Sequence, residues 1–193
     1  MGHEDLVVSL ACAMWPENDE GDAWAFWHDS RLAARVIERL THQLLRFSPT
    51  HLAGVETRGL VLASALASRT CLPLVPVRKT PCHLLGECLT SVTDADYKGR
   101  HVSFAASRRA LPHGGRVVIV DDWVDTGSTN RAVDAIIRAA GATTVGSVAV
   151  IDATARPSGN QKPFSFPFAA LVTLDQLQQA RPAFAPSDLR RQL

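Results

Sequence analysis

VVIVDDWVDTGSTNRAVDAII (residues 117–137) runs from an unbroken apolar stretch into two acids, a polar turn and an amphipathic segment. RVVIV (116–120) is rich in β-branched residues and has no polar alternation, as expected of a strand buried on both faces. After the turn, residues 128–140 carry apolar side chains at helical spacing, and Gly141 stops the helix. This strand–turn–helix unit delivers Asp121 and Asp122 at the end of the strand and Thr126-Gly127-Ser128-Thr129 at the start of the helix. A helix N-terminus offers unpaired N–H groups and a positive dipole end. Gly127 lets the backbone close on a phosphate, and the three hydroxyls add donors. Adjacent carboxylates provide the acceptors a ribose diol needs, directly or with a divalent cation between them. The plainer reading is a helix cap beside two solvated acids.

The flanking sequence extends the pattern. RLAARVIERLTHQLLR (31–46) places Leu32, Val36, Leu40 and Leu44 on one helical face behind Ser30 as N-cap. HLAGV (51–55) is a short apolar strand, ETRG turns it, and residues 59–69 are helical. LPLVPV (72–77) is another buried strand, closed by Arg78 and Lys79, and TVGSVAVI (144–151) a further one. Apolar strands alternating with helices predict an α/β fold: a central, mostly parallel sheet with helices on both faces. Ligands of such sheets bind at the carboxyl ends of the strands, where the polar residues of this chain gather. Residues 80–100 read as a flexible polar loop. Residues 1–30, with Trp15, Trp24 and Trp27, read as a small hood or edge cover, and the proline-rich stretch 155–186 as a second cover.

Composition removes several alternatives. The 193 residues make one domain, with 20 Lys and Arg against 19 Asp and Glu. A net charge of +1 gives no field for drawing in nucleic acid or an anionic membrane, so any anion site is local. No apolar run reaches the ~18 residues a membrane helix needs. The acid-rich start lacks the basic region of a secretory leader, and Cys12, Cys71, Cys82 and Cys88 show no C-x-x-C pairing, which predicts reduced thiols in the cytoplasm. Cys82, His83 and Cys88 match no common zinc spacing. Neither a P-loop nor a dinucleotide-binding glycine pattern is present. A phosphorylation receiver would need most of its fold after Asp121.

VVIVDDWVDTGST resembles the 5-phosphoribosyl-1-pyrophosphate (PRPP) motif of the type I phosphoribosyltransferases: four apolar residues, two acids, two variable residues and a T-G-x-T-like loop. GVETRGLVLASALA (54–67) and LPLVPVRK (72–79) are similar to the matching stretch of the adenine phosphoribosyltransferases. The resemblance implies that fold, a hood, and a lid over 80–100. It implies a Mg²⁺-dependent enzyme that joins a purine-like base to ribose 5-phosphate and releases pyrophosphate, with Mg²⁺ held mainly through PRPP near Asp121 and Asp122. Asp121, Asp122 and Thr126 to Thr129 would hold PRPP. Glu56, Thr57, Arg58 and Gly59, with Arg78 and Lys79, would hold pyrophosphate. Asp125 stands where hypoxanthine-guanine enzymes place a base-facing acid, and Asp96, in TDADYKGRH, takes the place of the Glu in the adenine enzymes' Y-x-L-E-Y-G. Trp123 is either a base-stacking ring or a core residue. The family commonly forms homodimers. The rival reading is a non-catalytic PRPP-sensing regulator that binds nucleic acid. Residues 1–50 disfavour it, holding four Arg, no Lys and eight acids.

Overall fold

The structure, a computed structural model, describes residues 2–15, 22–82, 86–94, 100–155 and 164–181. In chain order its elements are α1 His3–Met14, a 3₁₀ turn Ala25–His28, α2 Ser30–Leu45, β1 His51–Val55 and α3 Arg58–Thr70. They continue with β2 Leu74–Lys79, β3 Cys88–Val92, β4 Ser103–Ser107 and β5 Arg116–Val124, then α4 Ser128–Ala139, β6 Thr143–Asp152, β7 Phe168–Thr173 and α5 Leu174–Gln179. The strands form one sheet in the order β3-β4-β2-β1-β5-β6-β7. Pairings β2·β1, β1·β5, β5·β6 and β6·β7 are parallel, whereas β4 runs antiparallel to both β2 and β3. The expected mostly parallel α/β sheet is therefore the fold.

Strand alternation divides the core in two. Val118 and Val120 of β5 pack with Leu52, Val148 and Val150 under α1, α2 and α3, while Val117 and Ile119 pack with Ala53, Val75 and Val77 under α4. The chain thus leaves β1 across one face through α3 and leaves β5 across the other through α4. Adjacent parallel strands whose crossovers diverge in this way open a crevice at their carboxyl ends.

Register deepens that crevice. β1 pairs with β5 only as far as Gly54 opposite Val120, yet β5 continues beside β6 to Val124 opposite Asp152. Asp121, Asp122 and Trp123 therefore lie within the strand rather than beyond its end, bonded to β6 on one side and bordering the crevice on the other. α3 closes tightly against this overhang. A Cβ on Gly59 would stand 2.6 Å from the Val120 carbonyl oxygen and 2.9 Å from Asp121 Cα.

Four sequence expectations change. The strand read over 116–120, with a turn after it, continues through both acids to Val124 because β6 pairs with it there. The N-cap of α2 is Asp29, whose Oδ1 accepts from the N–H groups of Arg31 and Leu32 at 2.8 and 3.2 Å; Ser30 is already helical. Arg78 and Lys79 are inside β2, opposite Ala105 and Phe104 of β4. The segment 80–100 is not loop throughout, because residues 88–92 form edge strand β3 along β4, and backbone pairing there outweighs the polar composition. Gly59→Ala should destabilise the fold by about 1–3 kcal/mol through overpacking against backbone that cannot yield. Urea titration measures this, and an unchanged midpoint would show that α3 can draw back from β5.

Candidate active site

The crevice between β1 and β5 is a cleft of about 600 Å³. Glu56, Thr57 and Arg58 border it from the β1–α3 turn, Lys79 and Phe104 from β2 and β4, Asp121, Asp122 and Trp123 from β5, and Thr129 from α4. Ala23 and Trp24 close it from the N-terminal segment. A second hollow of about 160 Å³ is formed by Asp125 to Asn130, and shares Asp121, Trp123 and Thr129 with the larger cleft. The two hollows adjoin, with Asp121 on both and Asp122 on the larger.

The smaller hollow is a cradle at a helix N-terminus. Gly127 is the N-cap of α4 with φ +71°, and no side chain caps the helix. Thr126 Oγ1 accepts from Ser128 N–H at 3.3 Å and donates to Ser128 Oγ at 3.1 Å, which draws the loop into a tight turn. The Ser128 N–H is engaged within the loop, and the next N–H groups of α4, those of Thr129 and Asn130, remain for an anion. Asn130 is buried beneath, donating from Nδ2 to Ser147 Oγ at 2.8 Å.

Charge is organised in two pairs. Arg58 Nε lies 2.8 Å from Asp122 Oδ2, and the carboxylate side chain is only 8% exposed. That oxygen has no aligned hydrogen bond despite the contact, so it retains capacity for a hydroxyl or a cation. Glu56 accepts from the Lys79 N–H at 2.8 Å and from Arg78 Nε and Nη2 at 3.3 and 3.5 Å. The Arg78 guanidinium holds the Glu56 carboxyl below its usual range. Asp121 behaves oppositely. Burial of its carboxyl, reinforced by the neighbouring Asp122 charge, pushes its pKa well above the ordinary carboxylate value. A site that disfavours the charge on one of two acids is suited to a ligand that brings hydroxyls or positive charge.

The phosphoribosyl transferase domain model matches residues 27–169. The chain belongs to the phosphoribosyl transferase family. It is 35% identical over 140 residues to an adenine phosphoribosyltransferase of Gluconacetobacter diazotrophicus, covering 72% of this chain and 77% of that protein. Over 111 residues it is 40% identical to the Thermobifida fusca adenine phosphoribosyltransferase, 58% and 61% of the two chains. The crystal structure of the Rhodothermus marinus adenine phosphoribosyltransferase superposes with a TM-score of 0.75 at 25% identity, covering 88% of this chain and 99% of that one.

Within this phosphoribosyltransferase, Glu56, Thr57, Arg58 and Lys79 border the cleft, as do Asp121, Asp122, Trp123 and Thr129. Thr126, Gly127 and Ser128 form the cradle with Asp125, which is exposed and borders the cradle alone. Gly59 lies behind the cleft, where its lack of a side chain admits β5. Arg78 is engaged by Glu56 and does not border the cleft. Asp96 falls outside the described residues. Trp123 packs partly against the core and also borders both hollows. Four cleft residues had no assigned site role in the sequence: Ala23, Trp24, Val55 and Phe104. Trp15 is buried and Trp27 packs against the core, so of the three N-terminal tryptophans it is Trp24 that meets the cleft.

Asp121 gives the site a pH signature. Its raised pKa means the folded chain binds this proton more tightly than the unfolded chain does. The contribution of Asp121 to stability therefore falls as pH rises from the ordinary carboxylate value of 3.8 through the raised one. Relative to wild type, Asp121→Asn should be more stable at about pH 8 and show less advantage at low pH, where wild-type Asp121 is protonated. Urea titrations across that range measure the difference. A variant less stable than wild type at high pH would refute the assignment of the unfavourable charge to Asp121.

Proposed function

We propose that this phosphoribosyltransferase transfers ribose 5-phosphate from PRPP to adenine with release of pyrophosphate. The observation that carries the reading is the adjacency of the two hollows, which share Asp121, with Asp122 beside it on the larger. A sugar diol at Asp121 and Asp122 would put its 5′-phosphate in the cradle and its anomeric carbon in the cleft beside the cations. The choice of adenine is supported by the names of the relatives. The regulatory reading gains no support from the fold or from those names.

In this reading the glycosidic bond forms between a purine ring nitrogen and the anomeric carbon as the carbon–oxygen bond to pyrophosphate breaks. The nitrogen's proton passes to a carboxylate, and the electron pair of the broken bond leaves with pyrophosphate. The α4 N–H groups and the hydroxyls of Thr126, Ser128 and Thr129 hold the phosphate. Thr57, Arg58 and Lys79 meet the charge that grows on the leaving group. Positioned charges of this kind act most strongly where water is excluded. Trp24 and Trp123 offer faces for a planar base. Trp24 is held firmly for this: Asp22 Oδ1 accepts its N–H at 2.8 Å, the 3₁₀ turn follows, and Phe26 anchors that turn in the core.

The acid pair also fits a divalent cation, since Asp122 Oδ2 is buried without an aligned donor and the Asp121 pKa is raised by burial and then by its neighbour's charge. Mg²⁺ carried mainly on PRPP oxygens, with Asp121 and Asp122 nearby, would supply charge neutralisation on the departing pyrophosphate. Asp125 is the proposed proton acceptor, and Asp96 a second candidate from the 80–100 lid. The reading further includes a homodimer working in the cytoplasm; no helix among the described residues is long and apolar enough to cross a membrane.

Incubation with PRPP, Mg²⁺ and a panel of purine and pyrimidine bases tests the function through pyrophosphate release. Adenine should turn over fastest, and turnover of pyrimidines alone would refute the assignment. Asp125→Asn should lower kcat by ~10² to 10⁴ while PRPP affinity stays within about threefold. Near-normal turnover would remove Asp125 as the acceptor. Trp24→Ala should raise the KM for the base about tenfold, the order expected for loss of one stacking face, and leave PRPP affinity alone. A base KM equal to that of wild type would place the base elsewhere in the cleft.

A further inference from the structure

One cation joins the phosphate cradle to the end of β3. Arg131, in the first turn of α4, donates from Nη1 to the Thr126 carbonyl at 3.0 Å. From Nε and Nη2 it donates to Asp94 Oδ2 at 3.2 and 3.0 Å. Asp94 follows the last residue of β3 by two positions. The Arg131 side chain is 21% exposed and that of Asp94 43%, so the guanidinium is largely sheltered while its partner faces solvent. Arg131 Nη1 also lies 3.2 Å from where a Cβ on Gly127 would stand.

This arrangement fixes the orientation of one peptide plane. In a trans peptide the carbonyl and the following N–H point in opposite directions. With the Thr126 carbonyl drawn to Arg131, the Gly127 N–H is directed away from it. A carbonyl turned the other way would set a partial negative charge against an anion in the cradle and withdraw a donor from it. A guanidinium is planar, with its donors in a rigid fork. Asp94, by taking two of those donors, aims the third at Thr126.

We propose that Arg131, oriented by Asp94, is a positioning residue for the 5′-phosphate: it holds the Thr126 carbonyl out of the cradle so that the N–H groups at the start of α4 face the anion. The inference rests on the reading of the cradle as the 5′-phosphate site. It differs in sign from a simple charge effect. If Asp94 acted only through its charge, removing it would relieve repulsion and tighten phosphate binding. As the group that aims Arg131, its removal weakens binding. Lysine at 131 separates the two roles again, because it keeps the charge and loses the fork.

Calorimetry on the full chain with ribose 5-phosphate and, separately, with pyrophosphate tests the proposal on wild type, Arg131→Lys, Asp94→Asn and the double variant. Each single variant should weaken ribose 5-phosphate about tenfold, the order expected for one charge-assisted hydrogen bond. Pyrophosphate, recognised at the Thr57–Arg58 end, should stay within about twofold. The double variant should bind ribose 5-phosphate no more weakly than Arg131→Lys, since both changes break one linkage. Tighter binding by Asp94→Asn, or unchanged binding by Arg131→Lys, overturns the proposal. Equal loss of both ligands also overturns it, because Arg131 would then support the fold rather than the cradle. Wild-type protein that binds pyrophosphate but not ribose 5-phosphate would refute the cradle reading itself, and with it this inference.

Discussion

The site depends on a difference in strand length. β5 outruns β1, so the last four residues of β5 keep a sheet neighbour on one side and face open space on the other. Backbone pairing to β6 keeps this overhang extended and rigid, and the vacant side receives the β1–α3 turn with its cation. A carboxylate at the free tip of a loop would sample many positions. Here Asp121 and Asp122 are fixed by sheet geometry before any ligand arrives, which is the preorganisation that electrostatic recognition requires.

Rigidity of that kind has an electrostatic cost, which the fold meets unevenly. Asp122 receives Arg58 at close range, whereas the half-buried Asp121 sits beside a like charge. At the other wall, Glu56 draws in Arg78 and the Lys79 backbone, which steadies the β2 end without placing Arg78 on the cleft. The molecule therefore keeps Arg58, Lys79 and the α4 terminus as its positive surface toward a ligand, and spends another cation on structure. Functional sites commonly retain such local disadvantage because the ligand relieves it.

The central elements were legible because their signals are strong. β1 has the bounds its apolar run gives, α4 ends just before the glycine that reads as its stop, and the apolar run 116–120 marks the start of β5, although the strand continues through the acid pair to Val124. The periphery was less legible for physical reasons. β4, SFAAS, is built from small residues whose burial comes from Phe104 and from its neighbours in the sheet. β3 carries polar side chains on an edge, where backbone pairing decides the outcome. α1 was missed despite a usable pattern, with Leu6, Val7, Leu10, Ala11 and Met14 on one face behind Glu4 and Asp5. The pairing of Arg78 with Glu56 needs the register of two strands. One part was available earlier: consecutive residues on a strand leave from opposite faces, so Arg78 and Lys79 could not be expected to act alike. Trp24 gave no local signal, because what brings it to the cleft is the tertiary docking of the N-terminal segment.

The loop of the cradle is backed by a residue from the segment between β6 and β7. Phe164 occupies the space beside Gly127, and a Cβ there would come within 2.5 Å of its ring. Phe164 in turn stacks on Phe166, with centroids 5.4 Å apart, and meets Phe168 edge-on at the same separation. Two residues thirty-seven positions apart in sequence are thus bound to a shared volume. Enlarging Gly127 is blocked by Phe164 as well as by its positive φ, and shrinking Phe164 opens a void behind the loop that meets the anion. Mutational drift at these positions is therefore epistatic: the proline-rich C-terminal stretch, which carries no catalytic group among its described residues, inherits the evolutionary constraint of the phosphate loop it backs.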